Sequence, residues 1–153
     1  MQIPINRLKH CYMVGKVMEF CAKELKLNEE MQQEMFFIGY VHDSMYDFEK
    51  NETKHDEIVS NMLRETIFSK EVSLHSKYQN NYQSIALDLL YLADQIVDGY
   101  GNVVGFKKRI EDILNRHGKD DGVYKDTIEI VDYLKTKKEL VELEKKCIKF
   151  FNK

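Results

Sequence analysis

The segment Ile85-Ala86-Leu87-Asp88-Leu89-Leu90-Tyr91-Leu92-Ala93-Asp94-Gln95-Ile96-Val97 decides the fold. It is strongly apolar and reads as a helix with an inward series of Leu87, Leu90 or Tyr91, Asp94 and Val97. Asp94 thus stands where a core residue belongs. Around this segment the chain of 153 residues holds only 7 Gly and 1 Pro. That is too little turn punctuation for a sheet protein, so the fold class is all-α. With 43% hydrophobic and 32% charged residues it has the balance of one globular domain spanning residues 1–153.

Composition also excludes several functions. A net charge of −3 gives no global basic field, which argues against a general nucleic-acid coat protein. The three cysteines, Cys11, Cys21 and Cys147, have no paired spacing and read as packed, reduced thiols. No apolar run approaches the ~18 residues of a membrane span, and the N-terminus lacks the apolar core of a signal peptide, so a cytoplasmic location is expected.

Working outward, a first helix is expected from Pro4 to about Leu25, with Val14, Val17 and Cys21 inward. Counting back along that face reaches His10 and then Arg7. Asn28 caps a second helix whose stripe of Met31, Met35 and Ile38 ends at His42, followed at once by Asp43. Gly39 lets another backbone approach closely. A polar loop over 47–54 leads to a third helix, capped through Thr53 and Asp56, with His55, Ile58 or Val59, Met62 and Thr66 as its stripe. The polar stretch 69–84 is a loop or short helix carrying His75. Gly99, Gly101 and Gly105 mark a loop, and a helix over 106–116 stops at Gly118. An amphipathic helix over 121–134 follows, and Leu140, Leu143, Cys147 and Phe151 stripe the last one. Glu139, Glu142 and Glu144 oppose anionic lipid, so this last helix is expected on the bundle.

His10, His42 and Asp94 therefore lie on apolar faces of separate helices, with Asp43 beside one of them. An ionised carboxylate taken out of water costs several kcal/mol unless a partner, a raised pKa or a metal compensates it. Singly, each histidine has a bland reading as a hydrogen-bonded core residue, and Asp94 as the partner of Arg7 or a lysine. Jointly, two imidazoles and two carboxylates form a donor set for Mn²⁺, Fe²⁺, Co²⁺ or Zn²⁺, with Mg²⁺ as a harder option.

The order His10, His42-Asp43, Asp94 resembles the H…HD…D signature of HD-domain phosphohydrolases. Arg7-Leu8-Lys9-His10 followed by Val14 is similar to the family's first helix, Gly39-Tyr40-Val41-His42-Asp43 to the end of its second, and Leu92-Ala93-Asp94 to its aspartate helix. The resemblance covers roughly residues 5 to 116, with the C-terminal helices of 119–153 packed on that core. It implies an HD-domain helical bundle that holds a metal through His10, His42, Asp43 and Asp94 and hydrolyses a phosphate ester or anhydride. His55 and His75 resemble the additional ligands of two-metal HD enzymes, the diadenosine tetraphosphate hydrolases among them, so one or two ions are implied.

The expected partner is a small phosphorylated substrate, a nucleotide or similar compound, with neither nucleic acid nor membrane, and homo-oligomerisation is left open. Asp43 is expected to bridge ions or take a proton from water. Arg7 and Lys54 are expected to neutralise phosphate, and Lys9 and Lys77 also lie beside proposed ligands. His117 reads as a helix C-terminal residue without a catalytic role. One position departs from the pattern: HD 5′-nucleotidases and alarmone hydrolases carry Glu three residues after the HD aspartate, where this chain has Tyr46, followed by Asp47. Two further readings are a non-catalytic HD module that binds metal or nucleotide, and a diiron oxygenase on the same fold.

Overall fold

A computed structural model describes residues 4–43 and 69–153 of the chain. Among the described residues there are seven helices and no strand, beyond one isolated antiparallel bridge between Val97 and Val103. The helices are α1 (Ile5–Glu24), α2 (Glu29–Val41), α3 (Ser69–Leu74), α4 (Ile85–Ile96), α5 (Phe106–His117), α6 (Gly122–Lys135) and α7 (Lys138–Phe151). The third helix expected around His55 lies outside the described residues.

Helix α4 is the axis of the bundle and touches each of the six other described helices. Its burial is broader than the one-sided series read from the sequence, since Ala86, Leu89, Leu92 and Ile96 are buried along with Leu87, Leu90 and Tyr91. A helix that is apolar all round has to be enclosed, and six neighbours enclose it. Ser84 caps its N-terminus by accepting from the Leu87 amide at 3.0 Å.

Helices α1 and α2 form a hairpin across a short turn, with Asn28 accepting from the Met31 amide at 2.9 Å as the cap of α2. Val14, Val17, Met18 and Cys21 face Met35 and Ile38 in one core with α4, Ile130, Val131 and Leu134 of α6, and Leu140, Leu143 and Cys147 of α7. The last helix therefore packs its stripe on the bundle. It also reaches α5, whose glycine N-cap has no side chain to offer: Glu144 accepts from the Phe106 amide at 2.7 Å. All three cysteines are free and buried, and the Cys21 and Cys147 sulfurs lie 3.6 Å apart between α1 and α7. Among the described residues no helix is long and apolar enough to cross a membrane.

Candidate metal centre

Three pieces of chain converge on one point. His10 comes from α1, His42 and Asp43 from the turn that ends α2, and Asp94 from the last turn of α4. The first two are brought together by a backbone contact. A Cβ built on Gly39 would stand 2.6 Å from the Gly15 nitrogen and Cα, and one on Gly15 would stand 2.7 Å from the Phe36 carbonyl oxygen. Only glycine fits at this crossing.

Each imidazole is held in the same tautomer. His10 donates through Nδ1 to the Asp98 carbonyl at 2.9 Å, and His42 donates through Nδ1 to the Gly39 carbonyl at 2.6 Å. His75, just past the end of α3, donates through Nδ1 to the Val72 carbonyl at 2.5 Å. A carbonyl oxygen only accepts, so Nδ1 carries the hydrogen in all three rings. In a neutral ring Nε2 then presents a lone pair.

Those Nε2 atoms meet the carboxylates. Asp94 Oδ1 lies 3.0 Å from His10 Nε2 and 3.2 Å from His42 Nε2. Asp43 Oδ2 lies 3.2 Å from His42 Nε2 and 3.7 Å from His10 Nε2, whereas its other oxygen, Oδ1, faces His75 Nε2 at 3.4 Å. His10 and His42 are buried, and the two aspartates are largely so. The donor atoms of His10, His42, Asp43 and Asp94 lie within 4.8 Å of one another, and such a cluster can hold a metal ion.

Charge is distributed accordingly. Burial alone would lower the His42 pKa, but the Asp43 carboxylate and the bonds to Asp43 and Asp94 outweigh it and hold the imidazole well above its usual range. Burial would raise both aspartates. Instead the His42 charge with bonds to His42 and His75 holds Asp43 well below the carboxylate range, and bonds to His10 and His42 do the same for Asp94. The nearby Cys11 is pushed up to about 11 by burial, so in the metal-free protein it stays a thiol, and it is not among the clustered donors.

The cluster opens on a cleft of about 940 Å³. Arg7 lines it, in agreement with its expected position. Lys9 and Lys77 are exposed and are not part of the lining; one residue of helical rotation turns Lys9 away from His10, and Lys77 lies in the turn that follows α3. Lys54, His55, Tyr46 and Asp47 lie outside the described residues. Asp94 meets His10 and His42, so its pairing with Arg7 or a lysine is replaced by the histidines. His117 ends α5, lines the cleft, and has Asp121 3.8 Å from Nδ1.

Several lining residues were not foreseen from the sequence. Arg109 donates through Nε to the Asp94 carbonyl at 3.3 Å, and its guanidinium and that of Arg116 share the Asp112 carboxylate at 3.3 and 2.9 Å. Their signal was the i, i+4, i+7 series Arg109, Ile113, Arg116, which puts two cations on the stripe that a buried isoleucine marks as inward. Gln95 and Thr127, both buried, complete the wall contributed by α4 and α6. Compared with family models, curated proteins and solved structures, the chain matches none.

Proposed function

We propose that the chain is a metal-dependent phosphohydrolase of the HD kind, acting on a phosphate ester or anhydride of a nucleotide or similar small molecule. One observation carries this reading. Three imidazoles are fixed through Nδ1 on backbone carbonyls, with Nε2 turned toward two carboxylates. Metal-ligating histidines have that outer-shell partner, which sets the tautomer and raises ligand basicity. The resemblance of His10, His42-Asp43 and Asp94 to the HD signature supports the same conclusion.

His10, His42, Asp43 and Asp94 would hold the first ion, of the Mn²⁺, Fe²⁺, Co²⁺ or Zn²⁺ type. Asp43 offers its second oxygen on the His75 side, which suits a carboxylate shared with a second ion, and His55 would complete that site. A divalent cation supplies Lewis acidity, polarising a phosphoryl oxygen and acidifying water. The chain's own groups bind and orient. Asp43 would take the proton of the attacking water, Asp94 would stay a ligand between His10 and His42, and Arg7 and Arg109 on the cleft wall would offset the phosphate charge. A cleft of about 940 Å³ leaves room for the organic part of the substrate.

A second reading, a binding module without turnover, is favoured by Tyr46 in place of an acidic residue. Metal analysis together with phosphate release from a panel of nucleotides and sugar phosphates separates the two. Bound metal with release that disappears in Asp94→Ala supports the hydrolase. Bound metal without release for any compound, in the presence of added Mn²⁺, supports the module. Wild-type protein that retains no metal overturns the hydrolase, and one that binds neither metal nor any nucleotide of the panel overturns both.

A further inference from the structure

Helix α5 brings two guanidiniums to the cleft. Arg109 and Arg116 both line it, on the side of the helix that buried Ile113 marks as inward. Each is placed by a contact with the segment of chain that leaves the metal cluster. Arg109 Nε donates to the Asp94 carbonyl at 3.3 Å, and a Cβ built on Gly99 would lie 3.5 Å from Arg116 Nη1. Between these two points the Asp98 carbonyl receives His10 Nδ1. The guanidiniums therefore border the same few residues that carry Asp94 and aim His10.

Their charge is only half answered. One oxygen, Asp112 Oδ2, accepts from Arg109 Nη1 at 3.3 Å and from Arg116 Nη2 at 2.9 Å. A single carboxylate between two permanently charged groups leaves one positive charge over. Donors are left over as well: among the described residues Arg109 Nη2, Arg116 Nε and Arg116 Nη1 have no hydrogen-bond partner. These atoms are open to solvent, since the occluded side-chain atoms without a partner are Glu71 Oε2 and Gln95 Oε1. The rest of the cleft has the same sign. Outside the donor cluster its charged lining is Arg7, Lys70, Arg109 and Arg116 against Asp126, in a chain whose 26 acidic residues outnumber 23 Lys and Arg.

We propose that Arg109 and Arg116 form a second-phosphate subsite, so that the ligand of this cleft carries two phosphates joined through an anhydride oxygen, one at the donor cluster and the next on the two guanidiniums. Guanidinium N–H groups pair with phosphate oxygens in a fixed fork, and two forks beside each other suit a group with several charged oxygens. The span is short. Arg109 is bonded to the main chain of the residue whose side chain enters the cluster, and phosphates linked directly fit that separation. The inference rests on the phosphate-binding reading above and narrows it from ester or anhydride to anhydride.

The test uses full-length protein loaded with Mn²⁺ and three probes that share one nucleoside. These are adenosine 5′-monophosphate, α,β-methyleneadenosine 5′-diphosphate, whose bridging carbon blocks cleavage between the phosphates, and adenosine 3′,5′-bisphosphate, whose phosphates sit on separate carbons. Binding is read by calorimetry, and metal content is measured after each titration. Wild type should bind the diphosphate analogue about tenfold or more tightly than the monophosphate, and the 3′,5′-bisphosphate no more than about twofold more tightly. Arg116→Gln changes a half-exposed side chain in the last turn of α5 and should retain metal while losing most of that preference. A merely structural role would weaken all three probes alike. Arg116→Lys, which keeps the charge but not the fork, should retain part of the preference and serves if the glutamine variant fails to fold. Equal binding of monophosphate and diphosphate analogue by wild type overturns the proposal, as does an equal gain for the 3′,5′-bisphosphate, a full preference in Arg116→Gln, or failure of every probe to bind. Failure of the hydrolase reading shows separately, as wild-type protein that retains no metal or releases no phosphate from adenosine 5′-diphosphate, because the preference among probes is read without turnover.

Discussion

Gly15 and Gly39 meet backbone to backbone, so closely that a Cβ on Gly39 would stand 2.6 Å from the Gly15 Cα. The same Gly39 lends its carbonyl to His42 Nδ1 at 2.6 Å. One residue thus sets both how near α1 and α2 come and how the His42 ring is turned. Gly39→Ala forces the helices apart at a contact with no flexible side chain to yield. It should cost about 3 kcal/mol of stability in urea melts and lower metal occupancy in step, since His10 and His42 ride on the two helices. A stable variant with full metal content would refute that coupling.

Asp94→Asn keeps the volume of the side chain and removes the charge that two imidazoles share. Mn²⁺ or Zn²⁺ affinity, read by competition with a chromophoric chelator, is expected to fall by about 100-fold or more, beyond the usual effect of losing an outer-shell partner. Wild-type affinity in the variant would remove Asp94 from the ligand set.

His75 faces Asp43 through the oxygen that His10 and His42 do not use. His75→Ala should therefore keep one ion per chain by elemental analysis, while phosphate release drops by at least about tenfold and recovers in part with excess Mn²⁺. Undiminished release would reduce the centre to one ion and return His75 to the role of a hydrogen-bonded, partly buried residue.

Protonation gives a prediction with a sign. In metal-free protein the His42 pKa stands above its ordinary value of 6.5, so its contribution to stability is complete below that pH and is lost as pH rises through the raised value. Asp43 and Asp94 stand below 3.8, so theirs is complete above that pH and is lost as pH falls through the lowered values. Thermal melts in chelator should peak between those limits. Bound metal takes the place of the His42 Nε2 proton, so uptake releases a proton and the alkaline loss disappears. Calorimetry in buffers of different ionisation enthalpy measures that proton, and its absence would mean that His42 is not a ligand.

Glu144 closes α5 from a distance by accepting the Phe106 amide. Glu144→Ala should cost about 1 kcal/mol, comparable to loss of a local N-cap. Removal of residues 138–153 also strips Leu140, Leu143 and Cys147 from the core, and circular dichroism should then show a chain that no longer melts cooperatively. Native-like melting of the truncated chain would contradict the packing of α7.

The helical fold and the donor cluster were legible because both rest on residues out of keeping with their neighbours. His10, His42 and Asp94 interrupt apolar stripes at helical spacing, and few physical arrangements tolerate that. The cleft wall was less legible. Lys9 and Lys77 are near ligands in sequence and do not line the cleft: on α1 the helix turns Lys9 about 100° away from His10, and Lys77 lies in the non-helical stretch after α3. Arg109 and Arg116 are remote in sequence and line it, since the α5 face that reaches the site depends on how α5 packs against α4. Gln95 carried a signal like that of Asp94, a polar group among leucines. It passed as an unremarked helix position because the one-sided inward series drawn for α4 left it out, whereas six neighbours bury α4 on every side.

The turn after α4 extends the working unit beyond the residues that bear donor atoms. Asp98 accepts the Tyr100 and Asn102 amides through its side chain, at 2.9 Å each, and thereby shapes the turn whose Asp98 carbonyl aims His10. Gly101, at φ +85°, lies against the Lys9 carbonyl, where a Cβ would approach to 2.8 Å. Neither residue presents a donor atom to the centre, yet the direction of one imidazole depends on both. Grafting His10, His42, Asp43 and Asp94 onto another helical bundle would therefore transfer the chemistry without its aim. A transplant that worked would have to bring the Asp98 to Gly101 turn and the Gly39 carbonyl with it.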